Sequence, residues 1–470
     1  MSLIFKHESE LEIHEVAIPI HICRPNDWRD HQDKLSSAQL NFATHRNFSG
    51  EAGQRVQIPD GDGNIACVLF GAGSPQNDMA GAINLGGLSA SIRPENYVIA
   101  SMPDDWTEML AAMGWGLGAY KFDKYLSDKK SFPVLVLSDQ IILDEVQNII
   151  RAIHFGRDLI NIPAGDMGPV ALEEAAETLA DNYGATKRVT KGDALLNENY
   201  PMIHAVGRAA HEEPRLVELE WGDPAHPRLA LVGKGITFDT GGLNIKSATS
   251  ARLMKKDMGG AAHALALAQM IMANKLPIRL HVLLAIAENA ISAGAFRPGD
   301  ILPSRAGLTV EIDNADAEGR LVLGDALVRA TEDKPALIID FATLTGAARV
   351  ALGPKLAPFY CNRTGPVQSI LDYSKKLSDP IWHMPLWNPY LSMLKSPIAD
   401  MKNAGGGFAG SVTAALFLQR FVGDFPWMHF DVYGWNPTSE PGHPKGGEMF
   451  ALRSLYEWLK NGGIESNFDS

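Results

Sequence analysis

Cysteine is scarce in this 470-residue chain: Cys23, Cys67 and Cys361 stand far apart, with no CxxC pair and no zinc-ribbon spacing. That excludes a disulfide framework and a cysteine-built metal site. It suits a reducing compartment, so a cytoplasmic location is expected. Long apolar runs are missing too. No stretch approaches the ~18 consecutive apolar residues of a membrane span, and the opening MSLIFKHESELEIHEVAIPI brings charges in early, without the long apolar core of a secretion signal. Nor is there a basic excess: 42 Lys and Arg face 55 Asp and Glu, a formal charge of -13. This balance disfavours nucleic acid and anionic membranes as partners. Several catalytic motifs are absent as well. There is no HExxH, and Arg228 occupies the place where a phosphate-binding loop ending at Lys234 needs its leading glycine. No GxSxG surrounds Ser411, and no GxGxxG opens a helix. His263, among alanines, reads as a packed helix residue, and His429 in WMHFD reads as a strand residue.

What is present is ordinary globular material, 46% hydrophobic and 21% charged, enough for two or more domains. NIACVLFGAG (Asn64–Gly73), NYVIASMP (Asn96–Pro103) and PVLVLS (Pro133–Ser138) read as strands, and Trp106–Phe122 as a helix. These give an N-terminal α/β domain, residues 1–143, with no recognisable chemistry. Residues 144–163 are apolar at helical spacing and end at a proline, which predicts a connecting helix. In residues 164–470, RLALVG (Arg228–Gly233), Ile278–Ala287, Ala336–Leu344 and Trp427–Gly434 read as buried strands. Gly259–Lys275 and Ala409–Gly423 read as helices between them. The alternation predicts a larger α/β domain with a mostly parallel sheet covered by helices on both faces. Sites in such sheets gather beyond the carboxyl ends of the strands.

The charged residues fall at those ends. In VGKGITFDTGGLNIKSATSARLMKKDMGGAA, Lys234 and Asp239 are expected just past a strand, Lys246 in a glycine-flanked loop, and Asp257 ahead of a helix. In IDNADAEGRLVLGDAL, Asp316, Glu318 and Arg320 are spaced two apart, so in an extended segment they point to one side. Four acids could thus share one sheet end with three cations. Clustered acids repel unless cations neutralise them. Lysines and an arginine can do so, and so can one or two divalent ions. Spacing alone leaves a salt-bridge network and a metal site equally open.

Taken together and in order, VGKGITFDTGG, KKDMGGAA, NADAEGRL and DFATLTGA closely resemble the leucyl aminopeptidase family of dinuclear metallo-exopeptidases. Ala315 replaces a threonine of the family pattern, at a position that is not a ligand. The resemblance continues through MKNAGGGFAGSVTAALFLQRFV and HFDVYG, so it covers the chain from about Asn161 onward. It implies a catalytic domain that removes N-terminal residues from peptides, by attack of a hydroxide bridging two divalent ions, zinc or manganese. Asp239 and Glu318 would bridge the ions, Asp316 would complete one site, and Asp257 with Lys234 the other. Lys246 would stabilise the oxyanion, and Arg320 would hold a bicarbonate ion serving as general base. Thr343, Leu344 and Gly346 would hold the substrate. The resemblance also implies a homohexamer.

One departure bears on selectivity. In leucine-selective relatives the first side-chain pocket is lined by residues matching Met254, Thr343 and Gly346 and by a small alanine. Tyr433 stands in that alanine's place. The expectation is a pocket in which smaller or polar N-terminal residues compete with leucine. Two other readings stand beside the aminopeptidase: a related dinuclear hydrolase of other amide or ester bonds, and a DNA-binding regulatory member of the family.

Overall fold

The computed structural model describes residues 4–33, 35–75 and 81–465. The chain divides into two compact units, Met1–His154 with Thr438–Lys445, and Phe155–Pro437 with Gly446–Ser470. The helix Gln140–Asn161 carries the chain from one to the other.

The first unit holds β1 (Phe5–His7), β2 (Ile18–Cys23), β3 (Arg55–Pro59), β4 (Ile65–Gly71), β5 (Asn96–Ser101) and β6 (Val134–Leu137) in one sheet, ordered β1-β6-β5-β2-β4-β3. Its pairs are parallel except β3 with β4. The helix Glu108–Gly118 opens at Thr107, whose side chain accepts from the Leu110 amide, as a helix cap should.

The second unit is built on eight strands: β7 (Thr186–Lys191), β8 (Arg215–Trp221), β9 (Arg228–Asp239), β10 (Arg279–Asn289), and, after β11 (Ile301–Pro303) and β12 (Thr309–Glu311) of a separate small sheet, β13 (Leu337–Ala342), β14 (Ala357–Cys361), β15 (Ile381–His383), and, past β16 (Met401–Lys402) of the small sheet, β17 (Trp427–Asp431). The order is β15-β14-β17-β13-β9-β10-β8-β7, and the four central strands β17, β13, β9 and β10 run parallel. Helices Gly259–Ala273 and Gly319–Glu332 both pack on β9, each with its own set of neighbours, Pro169–Tyr183 and Leu452–Lys460 for the first, Pro201–Gly207 and Gly410–Val422 for the second. Alternate residues of β9 serve these two layers: Ala230 and Val232 join the core with Leu321, Val322 and Phe421, while Leu229 and Leu231 are buried on the opposite side. Burial on both faces explains why β9 reads as a continuous apolar run, not an alternating one.

β9 is longer than its apolar run suggests. It extends six residues beyond Gly233, through Lys234 to Asp239. Lys234 is therefore a strand residue, not a residue past the strand end, because the strand stays paired with β10 over that stretch, Lys234 opposite Ala285 and Asp239 opposite Asn289. The helix Gly259–Ala273 lies so close to β9 and β13 that a Cβ at Gly260 would meet the Phe341 carbonyl oxygen at 2.2 Å and the Lys234 amide nitrogen at 2.8 Å. That close approach sets the residues ahead of this helix against Lys234. Among the described residues, no helix is long and apolar enough to cross a membrane.

Candidate active site

Four acids converge at the carboxyl end of β9. Asp239 closes the strand, and Asp257 sits in the short turn Met254–Met258 that leads into Gly259–Ala273. Asp316 lies in a turn, and Glu318 is the residue at which the helix Gly319–Glu332 begins. The segment carrying Asp316, Glu318 and Arg320 is thus a turn entering a helix, not the extended stretch that alternate spacing suggests. Asp316 and Glu318 nevertheless meet Asp239, with one oxygen of each within 4.8 Å of the others. Arg320, one residue into the helix, donates to the Asn403 carbonyl at 2.6 Å and stands with its guanidinium 6.0 Å from the Phe417 ring centroid. A Cβ at Gly319 would lie 2.4 Å from Lys234 Cε, so glycine there lets the lysine stretch to its partners.

Two lysines thread the acids. Lys234 Nζ lies 2.7 Å from Asp257 and 3.0 Å from Glu318, and donates to the Thr343 carbonyl at 3.1 Å. Lys246 Nζ lies 2.8 Å from Asp239 and also pairs with Asp316. Asn289 Nδ2 donates to Asp239 at 2.9 Å and to the Ala315 carbonyl at 3.1 Å, fixing the turn of Asp316 to the end of β9.

Burial sets the electrostatics. Asp239 is pushed up to about 6 by burial and by Asp257, against the pull of Lys246 and Lys234. Glu318 is pushed up to about 6 by burial and by Asp239. Burial raises Asp316 too, whereas Asp257, despite its burial, is held below the usual carboxylate range by Lys234 and Lys256. Burial would lower Lys234 and Lys246, but the acids around them raise both above the ordinary lysine value. Lys234, Lys246 and Lys256 thus stand against four carboxylates, three of which, Asp239, Asp257 and Glu318, are buried.

This donor set fits divalent ions. It is all oxygen apart from Lys234, three of its carboxylates converge, and the buried oxygens Asp257 Oδ2 and Asp316 Oδ1 face a lysine ammonium without a well-formed hydrogen bond. The other converging trio among the described residues, Glu220, His281 and Asp333, is different. Arg228, Arg279 and Arg329 already pair with its carboxylates.

The acids line one cavity of about 580 Å³, together with Lys234, Lys246, Met254, Arg320, Thr343, Leu344, Gly346 and Tyr433. Every site residue singled out from the sequence therefore borders the same space. Asp431, at the end of β17, shapes its rim: its carboxylate accepts from the amides of Leu344 and Thr345 at 3.1 and 3.0 Å and from the Thr345 hydroxyl at 2.6 Å. Sequence reasoning missed Asn289, Asp431, Lys256 and Arg349. An acid closing a buried strand, as in HFD, is the available signal for Asp431; the other three carry none. His263 and His429 are structural. The first is fully buried, its Nδ1 2.6 Å from the Gly259 carbonyl, and the second lies 2.6 Å from Asp340.

A parallel α/β sheet with a buried carboxylate cluster at its carboxyl edge, suited to divalent ions and opening into a cavity, defines a metal-dependent hydrolase. Residues 154–456 match the catalytic domain of the cytosol aminopeptidase family, and residues 18–138 match the N-terminal domain of M17 aminopeptidases. The chain belongs to this family and is a metal-dependent exopeptidase that removes N-terminal residues from peptides. The match at 18–138 extends the likeness into the region where sequence motifs were silent. The cytosol aminopeptidase of Coxiella burnetii has 42% identity and a TM-score of 0.91, covering 96% of this chain and 98% of its own. A bottromycin maturation enzyme, BotP, solved in complex with Mn, has 32% identity and a TM-score of 0.85 over 95% of this chain and 99% of its own. A probable cytosol aminopeptidase of Syntrophotalea carbinolica is 34% identical over 92% of this chain and 95% of its own length.

Proposed function

We propose that Lys234, Asp239, Asp257, Asp316 and Glu318 hold two divalent ions, zinc or manganese, and that Lys246 and Arg320 complete the catalytic machinery. The observation that carries this reading is the convergence of Asp239, Asp316 and Glu318 within 4.8 Å, with Asp257 joined to Glu318 through Lys234. The Mn complex of BotP supports it. Asp239 and Glu318 would be shared between the ions, Asp316 would complete one site, and Asp257 with Lys234 the other. Lys234 serves there only as the neutral amine, since its lone pair is the donor. When bound, the ions supply a water of lowered pKa and a polarised carbonyl, and a bicarbonate at Arg320 supplies a base.

The chain's own groups do the rest. Asp257 receives the free amino group of the peptide, which restricts cleavage to the first bond. Lys246 keeps its proton and faces the oxyanion that develops on the scissile carbonyl. Arg320 Nε is buried without an acceptor, and its residue lines the cavity, which suits a planar anion such as bicarbonate. Thr343, Leu344 and Gly346 hold the peptide backbone; the Leu344 amide is turned to Asp431, so its carbonyl makes that contact. Met254 and Tyr433 bound the first side chain.

Prolonged chelation should abolish hydrolysis of aminoacyl anilides, and Zn²⁺, Mn²⁺ or Co²⁺ should restore it. N-blocked analogues should resist cleavage throughout, and their hydrolysis would favour the broader amide or ester hydrolase. We further propose a cytoplasmic homohexamer. Val350, Trp382, Trp387, Ile398 and Phe408 leave apolar area in the second unit that subunit contact would cover.

A further inference from the structure

Beside the acid cluster, the same cavity has a wall of opposite charge. Lys256 immediately precedes Asp257 and is buried, 5% exposed. Its Nζ lies 4.9 Å from the centroid of the Tyr433 ring, and Arg349 Cζ lies 4.9 Å from the same centroid. All three residues line the cavity next to Met254, Thr343 and Gly346. Among the described residues, neither cation takes part in an ion pair or a side-chain hydrogen bond, in contrast to Lys234 and Lys246 a few residues away. An aromatic face attracts a cation but does not neutralise it. Asp257 and Asp431 stand near Lys256, but neither forms an ion pair with it, so a buried ammonium beside a guanidinium leaves donors that favour an anion in the cavity.

The wall's place in the cavity says which anion. Asp257 receives the peptide's amino group, and Lys256, Arg349 and Tyr433 line the same cavity, so the first side chain, carried on the carbon that bears that amine, comes within reach of the wall. Thr343 ties the two regions together: its hydroxyl donates to the Asp257 carboxylate at 2.8 Å, and its methyl group lies beside Gly434, next to Tyr433. An apolar first residue would desolvate both cations without a return interaction. We propose that Lys256, Arg349 and Tyr433 form the floor of the first side-chain pocket and select peptides that begin with aspartate or glutamate. This rests on the reading of the acid cluster as the place where the peptide amine and scissile bond are held.

The test uses the metal-loaded enzyme and aminoacyl coumarin amides of Glu, Gln, Asp, Asn, Leu and Ala. The neutral isosteres isolate charge from size. The expected result is a kcat/KM for Glu over Gln, or for Asp over Asn, of about tenfold or more, since a polar group left unpaired penalises the analogue that lacks its partner. Lys256→Met and Arg349→Met should each cut that ratio by about tenfold. The ratio is taken within each variant, so partial misfolding cancels, and Arg349 is exposed, so its replacement leaves the core intact. A ratio of one or less in the wild type, with Leu and Ala hydrolysed, overturns the pocket assignment alone. A ratio that survives both substitutions overturns it for these cations. Hydrolysis of none of the six takes down the reading of the acid cluster as well.

Discussion

At the residue scale, the site works through two kinds of lysine that the fold keeps apart. Lys234 is buried between Asp257 and Glu318, whereas Lys246 reaches in from a loop and retains 15% side-chain exposure. A ligand and an oxyanion partner should respond differently to removal. Glu318→Ala deletes a carboxylate proposed to hold both ions and should lower the metal content found by elemental analysis. Lys246→Ala should keep the metal and reduce kcat by about 10²–10³, the range for a lost oxyanion-stabilising group. Loss of metal from the Lys246 variant would show that this lysine organises the acids instead. The contrast follows from placement: Lys246 reaches Asp239 and Asp316 from a loop and is 15% exposed, while Glu318 is 1% exposed among the other acids.

At the element scale, the position of the acids depends on how closely helices approach β9. Gly260→Ala puts a methyl group against the Phe341 carbonyl and the Lys234 amide, both backbone atoms that cannot swing aside. It should cost about 1–3 kcal/mol in stability by overpacking, measured by denaturant unfolding, and should lower activity by shifting Asp257. An unfolding midpoint equal to that of wild type would show that the helix can retreat freely. A second element-level device joins β8, β10 and the end of the helix Gly319–Glu332. His281 lies 3.2 Å from Glu218 and 3.3 Å from Asp333. Burial would lower His281, but Asp333 and Glu218 raise it above its ordinary value of 6.5. Its contribution to stability is therefore complete below about pH 6.5 and is lost as pH rises through the raised value. Hydrogen bonding from His281 holds Asp333 down, and the same partner with Arg329 outweighs burial at Glu218, so these acids contribute above about pH 4 and lose that contribution as pH falls. The Tm deficit of His281→Gln should accordingly be greatest near pH 5–6 and shrink towards pH 8. A deficit that grows with pH would contradict the assignment.

At the scale of the whole molecule, the two units contribute unequally to the site. The acid cluster and its cavity belong entirely to Phe155–Pro437 and Gly446–Ser470, and none of the site residues comes from the first unit. The exposed apolar side chains of the second unit motivate the hexamer, for which light scattering should give six times the mass of the 470-residue chain. A monomer at working concentration would remove that proposal and leave the chemistry of the site untouched.

The strand and helix alternation of both units, the packed character of His263 and the convergence of the charged motifs are all readable from the chain. Each depends on local sequence: apolar runs bounded by turns, and acids set between a strand and a helix. Local sequence misjudged the end of β9, because Lys234 to Asp239 remain in the sheet through pairing with β10, which no pattern within β9 reports. It also drew Asp316, Glu318 and Arg320 as an extended row, where a turn and a helix start bring the two acids together and send the guanidinium to Asn403. Asn289, Lys256 and Arg349 carry no local signal of their place in the site. Lys256, Arg349 and Tyr433 belong to three elements far apart in the chain, and only the stacking of β9, β13 and β17 side by side, with their loops on a common edge, makes them neighbours. The acids of the site are thus written in short motifs, while the meeting of Lys256, Arg349 and Tyr433 is a property of tertiary packing.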